Sequence, residues 1–252
     1  MFGPNGQGQN YTNPNPGFYN GDGQVVRERA MRSLLVRSYG EMCIGLLVTA
    51  VTAFVSAYTG LLYDFLGATG MVGWIVLCVA QIAFAMVLSY RLWKMNPATA
   101  RVLFYAYAVL MGFTLGSIFY VFNIGTIFVA LLFSAGFFFC LTMLAVSTKK
   151  NLLKLGPVLW AGLIVFVIGE VILYFVHASA ATMFISAVGL VLFGGLTLYE
   201  VQWIKKVLEP MCHTEVQYKQ ASIFAALNLY LDFINIFLSL LQLFGGRGGA
   251  RR

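Results

Sequence analysis

One carboxylate stands inside an apolar run. Residues 227 to 241 read LNLYLDFINIFLSLL, with Asp232 in their midst. The polar positions of this segment, Asn228, Asp232, Asn235, Ser239 and Gln242, are separated by 4, 3, 4 and 3 residues. That spacing puts all five on one face of a helix. Hydrogen bonds between membrane helices explain the amides and the hydroxyl. They do not explain the acid: a charged carboxylate at the centre of a membrane helix costs about 2.5 to 3.5 kcal/mol, and asparagine would supply the same bonds more cheaply. Asp232 is therefore expected to be functional.

The candidate partners are few. Glu200 lies in LTLYEVQWIKK, with Thr197 about one turn earlier on the same face; Glu170 lies in VFVIGEVILYF, and Arg91 ends another apolar run. If Glu200 and Asp232 meet in a low-dielectric site they cannot both ionise cheaply, so the pair would share a proton and sense pH. Fully ionised, it would attract the guanidinium of Arg91 in a closed state, or a divalent ion. Calcium takes roughly six to eight oxygen ligands. The two carboxylates, with Thr197, Asn228 and Asn235 nearby, fall short without water, so binding would be loose and suited to passage. Ser239 and Glu170 are further candidates for lining such a path, and Glu170 reads equally as an acid protonated in place.

The elements that position these residues are membrane helices. The chain has 252 residues, 60% of them hydrophobic and 10% charged, and a mean hydropathy of +0.82; a soluble domain carries about 25% charged residues. Residues 42–63, 65–90 and 102–148 are free of charge. None alternates as barrel strands do. A helix crosses the hydrocarbon in about 20 residues, so the longest run holds two spans, with a turn expected at Phe122-Asn123-Ile124-Gly125. The expectation is an all-α integral membrane protein: a seven-transmembrane helix bundle with helix 7 central and spans near 42–62, 72–92, 102–122, 126–147, 156–176, 180–203 and 222–244. Residues 1–30 are expected as a disordered cytoplasmic tail without a signal peptide, 31–245 as the membrane domain and 246–252 as a short basic tail.

Thirteen of the 16 basic residues fall before span 1 or after spans 2, 4 and 6. The positive-inside rule then sets the N-terminus in the cytoplasm. The net charge of +7 is an orientation signal, and nucleic acid is not an expected partner. Arg247, Arg251 and Arg252 would lie outside if span 7 crosses fully. Crossing is favoured over re-entry because no central Gly or Pro offers a reversal. Depth adds a condition: Glu200 precedes Lys205 by five residues and Asp232 follows Lys219 by thirteen. They meet only if the last helix starts in the cytoplasm, one or two turns before the membrane, with Pro210 marking the break after span 6.

Four segments together resemble the Bax-inhibitor family of seven-helix membrane proteins: ALNLYLDFINIFLSLLQLFG (226–245), LFGGLTLYEVQWIKK (192–206), LMGFTLGSIF (110–119) and AVSTKKNLLKLG (145–156). The resemblance implies a pH-sensitive calcium leak controlled by acids on helices 6 and 7, here Glu200 and Asp232, with Arg91 as latch and Arg101 as its competitor. It departs in one place, since the family's usual Tyr-Asp pair is Tyr199-Glu200 here. The extra methylene lengthens the reach of the acid and puts the grip on calcium in question. The resemblance also implies a cell membrane location, by the simple tails a bacterial inner membrane, and a membrane-bound ATP-dependent protease as a further partner. The alternative function is a non-conducting regulator of such a protease or of a stress-response partner.

Enzyme chemistry is not expected. The setting of LYLDFIN lacks the glycine-rich loop of an intramembrane aspartyl protease, His177 and His213 are too few for a zinc centre, and GFTLGS at 112–117 has no histidine base. Gly112-x-x-x-Gly116 reads as close helix packing. Cys43, Cys78, Cys140 and Cys212 form no CxxC motif and read as packing residues. No cofactor is expected; calcium would be a permeating ion.

Overall fold

A computed structural model describes residues 23–176 and 179–245, with side chains described over 34–173 and 183–245. Helices make up almost all of it: α1 (Gly23–Thr59), α2 (Leu61–Arg91), α3 (Pro97–Leu115), the short α4 (Ile118–Val121), α5 (Ile124–Ser147), α6 (Gly156–Val176), α7 (Ser179–Trp203) and α8 (Glu215–Gly245). Among the described residues, seven helices are long and apolar enough to cross a membrane. The expected tail at 1–30 overlaps α1, which begins at Gly23. Residues 1–22, 177–178 and 246–252, with both terminal tails and His177, lie outside the described residues.

Two of the departures from the expected spans lie at glycine. α2 begins eleven residues before 72, taking in the last two residues of the expected first span and the stretch 63–69 expected in a loop: Gly60 turns the chain at φ 72°, Asp64 N bonds Gly60 O at 2.9 Å, and Gly70 at φ 62° breaks the helix. The Asp64 carboxylate in the first turn also suits the positive end of the helix dipole. The third span is interrupted at Gly116-Ser117 and ends through α4; the turn expected at Phe122-Asn123 separates α4 from α5.

The final helix runs unbroken for 31 residues, about 46 Å at 1.5 Å per residue, more than the roughly 30 Å of hydrocarbon. Its start at Glu215 precedes 222, as the depth condition requires. α7 continues through a π-helical turn, Ile204–Leu208, before the chain reverses near Pro210. Thr214 and Gln217 then form a capping box: Gln217 N bonds Thr214 Oγ1 at 3.2 Å, while Gln217 Oε1 accepts from the amides of His213 (2.8 Å) and Thr214 (3.1 Å).

α8 packs against α1, α3, α5 and α7. Of its apolar window 72% is buried, against 39% or less in every other membrane-long helix and 6% in α6. α1 and α3 approach closely because Gly112 lies against Thr49 and Thr52, and Gly116 against Ser56. Gln81 of α2 ties to α3 through Leu110 O, at 3.2 Å, and Thr114 Oγ1. Tyr230 of α8 meets Thr49 of α1 at 2.6 Å, and Thr49 reaches Ala108 O of α3 at 3.0 Å. Three helices are thus joined through two hydroxyls, in an aromatic setting of Phe104 and Tyr107.

Candidate functional site

The polar stripe of α8 faces α7. Asp232 Oδ2 lies 3.1 Å from Thr197 Oγ1. A Cβ placed on Gly189 would come 2.9 Å from Ser239 Oγ, and Gln242 Oε1 accepts from Ser186 Oγ. The three contacts descend α7 as they ascend α8, as antiparallel neighbours must. Ser239 and Asp232 are buried, at 5% and 4% exposure. Asn235 is half-buried and returns its amide to Leu231 O at 2.8 Å; Asn228 is half-buried on the same helix.

Glu200 and Asp232 come together. Their carboxyl groups stand close enough to interact directly, and a hydrogen bond between two carboxyls needs a proton on one of them. Oε2 of Glu200 is sealed from solvent and meets no N–H or hydroxyl donor, although other parts of the residue keep partial exposure. A buried carboxylate oxygen in that position invites a proton or a cation.

Thr197 is fully buried, and its hydroxyl also bonds Phe193 O at 2.8 Å. A third hydroxyl approaches from α1. Tyr39 is near enough for the charge of either carboxylate to act on it, and its Oη lies 2.9 Å from Thr142 Oγ1. Thr142 donates its one proton to Phe138 O at 2.9 Å, so Tyr39 is the donor in the Tyr39–Thr142 bond. Phe138 stacks edge-on against both Tyr39 and Phe233, the neighbour of Asp232.

Other expected site residues stand elsewhere. Arg91 is exposed at the end of α2 and makes no ion pair among the described residues. Its competitor Arg101 pairs with Glu41 on α1, Nη2 to Oε1 at 2.7 Å, while Tyr105 donates to Glu41 Oε2 at 2.6 Å. Glu170 is half-buried on α6 and makes no hydrogen bond or ion pair among the described residues. No group of three or more His, Cys, Asp or Glu side chains among the described residues is arranged to hold a metal. Sequence reasoning missed Glu41, which stands one residue before a charge-free run and so reads as part of its flank; the signal was Arg101-x-x-x-Tyr105, two donors on one helix face.

Comparison with known proteins follows the same lines. The family described as inhibitor of apoptosis-promoting Bax1 matches residues 31–249. The inner membrane protein YbhL of Escherichia coli K12 is 34% identical over 225 residues, covering 88% of this chain and 96% of that protein. An uncharacterized protein of Borreliella burgdorferi is 34% identical over 214 residues, with 84% and 91% covered. An uncharacterized membrane protein of Streptococcus pyogenes is 36% identical over 153 residues, with 60% and 66% covered. With seven membrane-long helices and a family match across all of them, the chain belongs to the Bax-inhibitor family and is a multi-pass protein of the bacterial inner membrane.

Proposed function

We propose that the protein is a pH-sensitive leak for cations, calcium in particular, gated by Glu200 and Asp232. The observation that carries the reading is the contact of these two acids between α7 and the most buried helix, with one Glu200 oxygen sealed from solvent and met by no N–H or hydroxyl donor. At low pH the pair holds a proton, its charge is small, and α7 and α8 pack closely. Deprotonation sets two like charges side by side at low dielectric, and their repulsion is relieved by separation or by a cation. Two carboxylates and a few neutral oxygens bind calcium weakly, so an ion entering the site also leaves it. Arg91, exposed in this state, is assigned the role of latch in another, supplying the neutralising charge when no cation does.

The test is flux. Purified protein is reconstituted in liposomes holding a calcium dye, and leak is followed at several pH values for wild type, Glu200→Gln, Asp232→Asn and Arg91→Gln. A pH-dependent leak is expected in wild type, flattened in both acid variants and raised in Arg91→Gln at the higher pH where the pair is ionised. Absence of flux above empty liposomes at every pH, or wild-type profiles in both acid variants, would sink the gating assignment.

A further inference from the structure

Five lysines converge at one end of the bundle. Lys149, Lys150 and Lys154 belong to the connector between α5 and α6, and Lys205 and Lys206 to the π-helical turn that extends α7. Gln202, 1% exposed, bolts the two together. Its Oε1 accepts from Leu152 N at 3.0 Å, its Nε2 donates to Lys150 O at 2.9 Å, and Lys206 Nζ reaches the same Oε1 at 3.2 Å. Gly156, at the start of α6, lies on the Tyr199 ring, where a Cβ would come to 2.8 Å.

The lysines therefore sit on a fixed platform. Lys149, Lys150, Lys154 and Lys206 are exposed, and none of the five makes an ion pair among the described residues. Like charges on a mobile loop relax by spreading; here both neighbouring backbone groups are tied down, so the repulsion is left for an anion to relieve. The connector between α2 and α3 is bound in the same manner by Gln220, which donates to Met95 O at 2.7 Å and Trp93 O at 3.3 Å. Its charge is smaller: Arg91 and Lys94 are exposed and unpaired among the described residues, while Arg101 is matched by Glu41 and the nearby Lys219 of α8 by Glu215. Five unpaired cations on the α5–α6 side thus stand against two on the α2–α3 connector.

Next along the chain the α5–α6 connector ends in Leu155, 49% exposed, and the first turns of α6 expose Val158 at 70% and Trp160 at 53%. Basic groups next to an apolar flank with an interfacial tryptophan match a phospholipid, headgroup to lysines and chains to helix. We infer that the platform of residues 148–155 and 204–208 binds an anionic phospholipid, with Lys150, Lys154 and Lys206 holding its phosphate. Because Gln202 and Tyr199 flank Glu200 on α7, an occupied platform bears on the helix that carries the candidate gate.

Native mass spectrometry of the full chain in detergent, titrated with phosphatidylglycerol and separately with phosphatidylcholine, reads this directly and independently of any flux. Phosphatidylglycerol is expected to bind more tightly. Lys150→Gln with Lys154→Gln should weaken it by about tenfold, whereas Arg91→Gln with Lys94→Gln, an equal loss of charge at exposed positions, should leave it within about twofold. Equal retention of both lipids, or equal weakening in both double variants, would show general basicity and overturn the site. Displacement by inorganic phosphate at concentrations comparable to the lipid would overturn the lipid assignment.

Discussion

The hydroxyl of Thr197 stands between two acceptors, Asp232 Oδ2 at 3.1 Å and the carbonyl of Phe193 at 2.8 Å. It has one proton to give. With Asp232 protonated, the acid donates into Thr197 Oγ1 and the hydroxyl stays on Phe193 O, satisfying all three groups. With Asp232 ionised, the hydroxyl must turn to the carboxylate and release the carbonyl. Bonds from threonine to the carbonyl four residues earlier bend helices. The charge of Asp232 on α8 is therefore tied to the curvature of α7 one turn before Glu200.

Thr197→Val keeps the shape and removes this exchange. A hydrogen bond to a charged group is worth roughly 1.5 to 3 kcal/mol, so the pH profile of the leak should move by about one unit or more. Thr197→Ser retains Oγ and should keep the wild-type profile. Liposome flux against pH decides it: coincident curves for the valine variant and wild type would mean that the hydroxyl is idle.

Glu41 and Arg101 form a second buried relationship, between α1 and α3, with the two side chains 10% and 39% exposed. Removing one partner leaves the other charge uncompensated, and the partial exposure of Arg101 lowers that cost. Arg101→Met should destabilise the detergent-solubilised protein by about 1 to 3 kcal/mol, more than Glu41→Leu combined with Arg101→Met, which leaves no lone charge. Chemical unfolding in mixed micelles provides the comparison. A double variant less stable than Arg101→Met would contradict this account.

The spans were legible in the sequence because bilayer thickness fixes their length, and the α8 stripe because helical period fixes its face. Even the early start of α8 had a signal, the Thr214-x-x-Gln217 capping box, beyond the depth condition that demanded it. The partners of the polar residues were not legible. Glu41 stands at the flank of its span and gains meaning only when α3 brings Arg101 and Tyr105 beside it. Gln202 and Gln220 are unremarkable in sequence, since the carbonyls they hold lie 52 and about 125 residues away. Arg91 showed the converse: proximity to the membrane edge made it a candidate, and the fold leaves it exposed in this state.

Cys212, in the turn between α7 and α8, invites a chemical test. Burial and then the charge of Glu209 push its thiol above the ordinary value of 9.0, and Sγ contacts Leu208 O at 3.3 Å. A raised thiol pKa means that the folded state holds its proton where the unfolded state has lost it, so this group stabilises the fold less as pH rises beyond 9. Because the thiolate is the nucleophile, iodoacetamide should label Cys212 more slowly than a free thiol at pH 8 and accelerate above pH 9. Mass spectrometry of the peptide containing it gives the rate. Labelling at pH 8 as fast as that of free cysteine would contradict the shielding.

Gly112 tests the packing of α1 on α3 on which Glu41 and Arg101 depend. A Cβ at this position would lie 2.6 Å from the backbone carbonyl of Thr49 and closer still to the Thr52 hydroxyl. Thr52 can turn away, but a helix carbonyl cannot, so alanine must push the helices apart. Overpacking of this kind costs about 1 to 3 kcal/mol. It should also loosen the Thr49 bonds to Ala108 O and Tyr230, because both pass through the displaced turn. Gly136→Ala on α5 is the control: nothing lies within 4 Å of its Cβ, and alanine is the better helix former by up to about 1 kcal/mol. Thermal inactivation in detergent should therefore separate the two, Gly112→Ala losing stability and Gly136→Ala keeping or gaining it; an undiminished Gly112→Ala protein would show that the two helices have room that this packing denies them.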